Sequence, residues 1–152
     1  MGIFDTLLGR KKSELETVQF AQRGKIVRFV DNKDDTITDN KTGLMWQKKD
    51  DEKKRSYNEA LHYCRELRLA GYSDWRLPTL EELLTIVVQG RPENVDEIFA
   101  NSKAERYWTI TEFEHYVDGK YLGDEIAYTV DFIDGFETTY DKIYEYYVRA
   151  VR

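Results

Sequence analysis

The chain offers few groups for covalent chemistry. Its single thiol is Cys64, and its histidines are His62 and His115. Neither histidine stands at zinc-ligand spacing from the thiol, and local context suggests no Ser–His–Asp grouping. Cys64 shares an apolar helical stripe with Leu61 and Leu67, which points to a buried structural thiol. His62 is expected on the outer face of that helix, and His115 in a solvated loop. Asp31, Asp34, Asp35 and Asp39 carry hard oxygens, but Lys33 stands at the third place of an EF-type loop and the needed Gly and distant Glu are missing. Hairpin turns explain these four acids better than a calcium site does.

Residues 112–145 are richer in binding chemistry. They hold ten carboxylates against two lysines, a net charge of −8, while the rest of the chain carries +2. A surface built from this segment repels phosphate, so nucleic acid is not an expected partner. Aromatic residues are interleaved with the acids, as rigid contacts for a protein, or a glycan, would be. The residues singled out as ligand-binding are Glu112, Glu114, Tyr116, Tyr121, Asp124, Glu125 and Tyr140. Calcium bound by acids of these loops is a minor alternative, and no cofactor is expected.

Two helices must position these groups. Ser56-Tyr57-Asn58-Glu59 and Thr79-Leu80-Glu81-Glu82 are capping-box sequences. After the first, Ala60, Leu61, Cys64 and Leu67 mark one face, and Gly71 is read as the stop. After the second, Leu80, Leu83, Leu84 and Val87 mark an inner face ending at Gly90 to Pro92. Each helix is expected to run about three turns. Around them lie strand signals: Ile26–Val30, Thr36–Thr38, Leu44–Trp46, Tyr107–Thr111, Ala127–Phe132, Phe136–Tyr140 and Tyr146–Val151. Asp118-Gly119 and Asp134-Gly135 are hairpin turns. Trp46, Trp75, Trp108, Pro78 and Arg149 are read as structural, and Arg76, between two apolar residues, as a buried guanidinium needing carbonyls or a carboxylate.

Residues 1–23 form a separate amphipathic and basic piece preceding a domain at 24–152. It reads as a tail, or more sharply as a partner-binding or membrane-surface helix. No run approaches the roughly 20 apolar residues of a membrane span. With one cysteine and no secretory pattern, a cytoplasmic, reducing compartment is expected.

Asp39-Asn40-Lys41-Thr42-Gly43-Leu44-Met45-Trp46, Ala60 to Leu67, Gly71 to Leu84 and Tyr147-Val148-Arg149-Ala150-Val151-Arg152, taken in order, resemble the Legionella collagen-like protein C-terminal (Lcl C) domain family. Tyr107-Trp108-Thr109 and Phe132-Ile133-Asp134-Gly135 fit as well, and the resemblance covers about residues 26–152. It implies an α+β, C-type lectin-like fold in which two helices flank a small twisted antiparallel sheet. It also implies distant similarity to the formylglycine-generating, sulfatase-modifying group, whose thiols lie near C-terminal loops where this chain has none. In the family the cysteine at the place of Cys64 usually pairs with one where Ala150 stands here. That crosslink closes about 85 residues and is typically worth about 2–4 kcal/mol. The resulting expectation is a non-catalytic module binding a protein, for which the acidic loops of 111–146 favour a basic surface. A sulfatase-modifying type of enzyme and a structural subunit assembled through the N-terminal segment are the alternatives.

Overall fold

The computed structural model describes residues 27–88, 95–99, 102–121, 123 and 125–152. The N-terminal piece at 1–23 lies outside the described residues. Three short strands come first: β1 (Phe29–Asp31), β2 (Thr36–Asp39) and β3 (Met45–Gln47), antiparallel in that order. Their turns are held by side chains. Asn32 Nδ2 donates to the hydroxyls of Thr36 and Thr38, each at 2.9 Å. Asp39 accepts from Arg28 Nε and Nη2 at 3.1 and 2.9 Å, from the Lys41 N–H and from the Thr42 hydroxyl. Gly43 follows at φ +76°, a backbone state that disfavours a side chain.

Helix α1 (Tyr57–Glu66) begins where Glu59 accepts from both the backbone N–H and the hydroxyl of Ser56. It buries Tyr57, Ala60 and Cys64. It ends at Leu67, in extended conformation, four residues before the expected stop. Ala70 and Gly71, both at positive φ, instead turn the chain so that Leu69 and Tyr72 pair. Helix α2 (Leu80–Leu84) is five residues long, not three turns. The β-branched run Thr85-Ile86-Val87-Val88 follows it, and the Thr85 hydroxyl donates to the Glu82 carbonyl at 2.7 Å. Val87 then bridges to Val95 rather than continuing the helix.

A second antiparallel sheet has the order β4-β7-β8, from β4 (Arg106–Phe113), β7 (Ile126–Asp131) and β8 (Glu137–Asp141). Between β4 and β7 a two-residue hairpin projects: β5 (Tyr116–Val117) and β6 (Lys120–Tyr121), turned by Asp118 at φ +49° and Gly119 at φ +74°. The β4–β7 register slips between Trp108 and Glu112. There the Ile110 N–H donates to the Pro78 carbonyl and the Leu80 N–H to the Thr111 hydroxyl, so the irregularity anchors the start of α2.

Residues 146–151 were expected as one strand. They form instead, with Arg152, a series of single bridges to β3, to the segments that lead into the two helices and to β4. Tyr146 exchanges two backbone bonds with Arg55, and Tyr147 bridges to Arg106 and Trp108. Val151 exchanges two with Arg76, and Arg152 two with Met45. Side chains alternate between two cores, as an extended chain requires. Tyr147 and Val151 face the core of Ile37, Trp46, Phe99 and Phe132. Val148 and Ala150 face that of Cys64, Trp75, Leu77 and Trp108.

Arg149, on the first of these sides, is fully buried. Its Nη1 donates to the carbonyls of Gln47 and Lys48 at 2.9 and 2.7 Å. Its Nη2 donates to Ser102 Oγ at 2.9 Å and lies 3.5 Å from Asp50 Oδ2. The same carboxylate oxygen accepts from the hydroxyl of Tyr107, and Oδ1 accepts the Glu52 N–H. The rings of Phe99 and Tyr107 flank the guanidinium, with centroids 5.5 and 5.7 Å from Cζ.

Two stability predictions follow from these buried charges. Arg149→Ala leaves Asp50 buried without its cation and is expected to cost about 3–5 kcal/mol in urea denaturation; a loss under 1 kcal/mol would contradict this. Asp39 lies in an environment whose burial disfavours the charged form, yet the bonds from Arg28, Lys41 and Thr42 outweigh this and depress its pKa. Glu82 is depressed chiefly by its hydrogen bonds from Arg76. A depressed carboxylate stabilises the fold above its unfolded pKa and loses that contribution as pH falls through the folded one. Tm is therefore expected to drop below about pH 4, and more steeply in the wild type than in Asp39→Asn; parallel curves would refute the assignment.

Candidate functional site

The acids and rings singled out in the sequence do not gather at one place. Glu112, Ala127 and Tyr140 lie in register across β4, β7 and β8. Opposed residues in antiparallel strands share a face, and here that face is the one packed on α1. Tyr140 is half-buried against Tyr144 and Tyr146, with Arg106 over its ring at 5.1 Å. It packs at the edge of the core. Glu112 accepts from Lys142 Nζ at 2.9 Å and from the Tyr57 hydroxyl at 3.3 Å. Lys142 in turn lies 4.6 Å from the Tyr57 ring centroid. Glu112 is thus engaged in tying β4 to α1.

The remaining residues are carried by the hairpin. Tyr116 and Tyr121 are cross-strand partners with ring centroids 5.4 Å apart. Both are about half exposed, at 55% and 48%, and Val117 beside them is 47% exposed. Phe113, at the end of β4, is also exposed and meets Tyr128 edge-on at 5.9 Å. Glu114 receives a long 3.4 Å bond from the Tyr116 hydroxyl. Asp118 at the turn and Glu125 beyond it are exposed. Asp124 lies outside the described residues. The hairpin therefore joins exposed aromatic area to carboxylates. Sequence reading had not singled out Phe113 or Val117 as ligand residues, although Val117 directly precedes the Asp118-Gly119 turn signal.

The residues read as structural sit as follows. Trp46, Trp75, Trp108, Pro78, Cys64 and Arg149 are buried. Trp108 Nε1 donates to the Arg55 carbonyl at 2.8 Å, and Trp75 Nε1 to that of Leu69 at 3.3 Å. Arg76 differs from expectation, since its side chain is 41% exposed. Its fork grips both carboxylate oxygens of Glu82 at 2.7 Å, and Glu82 also accepts the Thr79 N–H. The pair raises the arginine pKa and lowers the glutamate's by the same bonds. The deeply buried guanidinium is Arg149, whose partners Gln47, Lys48 and Asp50 are about a hundred residues distant in sequence.

Two concavities lie beside α1. A wide groove of about 620 Å³ is lined by Arg55, His62, Tyr63 and Glu66 among others. Its central groups are already engaged: Arg55 lies 4.0 Å over the Tyr63 ring and pairs with Asp51, and the Tyr63 hydroxyl accepts from Gln47 Nε2. A narrower pocket of about 230 Å³ has Cys64, Trp75 and Leu77 among its walls. No three His, Cys, Asp or Glu side chains group as metal ligands among the described residues. No helix of the described residues is long and apolar enough to cross a membrane.

Cys64 and Ala150 share the same core cluster. Burial pushes the Cys64 thiol up to about 12, against a weaker opposing effect of Arg55. Its reaction with Ellman's reagent at pH 8 is expected to be on the order of a thousandfold slower in the native protein than in urea, following the thiolate fraction. Prompt labelling of the native protein would overturn this.

A search of curated proteins finds no match to the chain. The family model of the Lcl C-terminal domain matches residues 35–152, which span β2, both helices, the second sheet and the 146–152 segment. On that match, the chain belongs to the Lcl C-terminal domain family.

Proposed function

We propose that this domain is a non-catalytic binding module of C-type lectin-like architecture, and that the β5–β6 hairpin is its docking element for a protein partner. The observation that carries the reading is the exposure of large apolar side chains on and beside this hairpin: Tyr116 and Tyr121 paired on one face, Val117 on the other, and Phe113 at the end of β4. Tyrosine pairs held across two strands lose little side-chain freedom on binding and supply much contact area. Glu114, Asp118 and Glu125 surround them, against the single cation Lys120. A segment that combines lysine or arginine with aliphatic or aromatic residues complements such a surface. The lectin-like description is supported by two helices beside small antiparallel sheets, and by the pairing of residues 150–152 with β3. The reading requires no disulfide, and a buried free thiol suits a reducing compartment.

The test is a random peptide library selected against the full chain, followed by fluorescence anisotropy. Selected peptides are expected to be basic and apolar, and to lose affinity as NaCl rises. Tyr116→Ala with Tyr121→Ala is expected to weaken them by about 2–4 kcal/mol, while Ile143→Ala, at an exposed residue elsewhere, leaves them unchanged. Acidic consensus peptides, or equal binding by the double variant, would count against the hairpin.

A further inference from the structure

The narrow pocket beneath α1 has a composition of its own. Its walls are Leu61, Cys64, Trp75, Leu77 and Ile110, of which Cys64, Trp75 and Leu77 are buried and form the floor. None of these side chains is ionised: the thiol is held protonated by its burial, and the Trp75 N–H is turned away to the Leu69 carbonyl. At about 230 Å³ the pocket falls just below the roughly 300–1,000 Å³ of drug-sized sites, so it suits a fragment-sized guest.

Its charged lining residues are both cations. Arg76 is neutralised by the Glu82 carboxylate, 2.7 Å away. Arg65, exposed in the last turn of α1, has no ion pair among the described residues. Among the described residues no carboxylate lines the pocket. An apolar floor below an uncompensated guanidinium is complementary to a molecule with an apolar body and one anionic end.

We propose that this pocket binds a small amphipathic carboxylate, with its hydrocarbon body against Trp75, Leu77 and Cys64 and its carboxylate at Arg65. The site is separate from the hairpin and does not depend on the reading given to it. The ligand's charge also differs from that of the hairpin's partner, so one molecule would present two surfaces of opposite preference.

The probe is octanoate, compared with octylammonium of equal chain length, titrated into the full ¹⁵N-labelled chain. The readout is the Trp75 indole cross-peak, which reports the pocket floor and is remote from the exposed tyrosines. Octanoate is expected to shift it saturably, with octylammonium about tenfold weaker, the size of an exposed charge contact at close range. Arg65→Gln is expected to remove most of that preference. Ile110→Glu, which places a carboxylate at a partly exposed wall position, is expected to abolish octanoate binding. Both substitutions alter side chains that reach solvent, so an unchanged Tm certifies the fold. A Trp75 signal that does not saturate with octanoate overturns the proposal. So does equal binding of the two head groups, or octanoate binding unaltered in Arg65→Gln. Failure here leaves the peptide selection on the hairpin untouched, and the reverse also holds.

Discussion

A guanidinium removed from water tolerates very few surroundings, and Arg149 imposes its own on this domain. Its two Nη groups are met by the carbonyls of Gln47 and Lys48, by Ser102 and by the Asp50 carboxylate that Tyr107 also holds, while Nε is buried with no hydrogen-bond partner among the described residues. Those groups come from separate stretches of chain. None can be displaced without leaving a buried charge or donor unpaired, at a cost of several kcal/mol. The same residue fixes register. A slip of one position along 146–152 would turn the guanidinium towards Cys64, Trp75 and Leu77, and set Ala150 or Val148 among the carbonyls. The two cores are therefore partitioned by a charge as much as by hydrophobic pattern.

What could be read from the sequence was mainly what neighbouring residues decide. Glu59 and Glu82 mark helix starts because a carboxylate three residues on reaches back to the capping residue. Asp118-Gly119 marks a hairpin because its two positive φ angles suit few other pairs. The turn acids Asp31, Asp34 and Asp39 each accept from chain atoms two residues ahead, which is local Asx chemistry. Less legible were effects decided at a distance. The length of α2 was overread because Val87 fits a helical stripe equally well as a bridge partner of Val95. Gly71 looked like a helix stop but serves a turn four residues beyond one. Arg76 and Arg149 both stand among apolar neighbours, and only the placement of their acceptors separates a surface pair from a buried one.

The candidate site shows the same division. Composition pointed to residues 112–145 as one acidic, aromatic region. In the fold that region is split by the pleat of the second sheet. Glu112 and Tyr140 turn towards α1, and Asp131 is buried with Arg106 at 2.9 Å. The hairpin region keeps Glu114 and Asp118 exposed, and Asp134, Glu137 and Glu145 are exposed outside it. The charge free for a partner is accordingly smaller than the segment's net value suggests, because Glu112 and Asp131 are already paired with Lys142 and Arg106. Period-two alternation predicts that such a split exists. It does not say which face is covered, because tyrosine is at home on either.

The bridging role of residues 146–152 has a consequence for synthesis. The chain leaves the ribosome from its N-terminal side at about 5–20 residues per second. β1, β2 and β3 emerge some hundred residues before Arg149 and Arg152 reach them. Throughout that interval the free edge of β3 and the unfilled place between the two cores face the solvent around the nascent chain. Nothing already translated can substitute, because the missing piece is a charged side chain and not merely apolar bulk. Closure of the two cores around Arg149 therefore waits until residues 146–152 have been made.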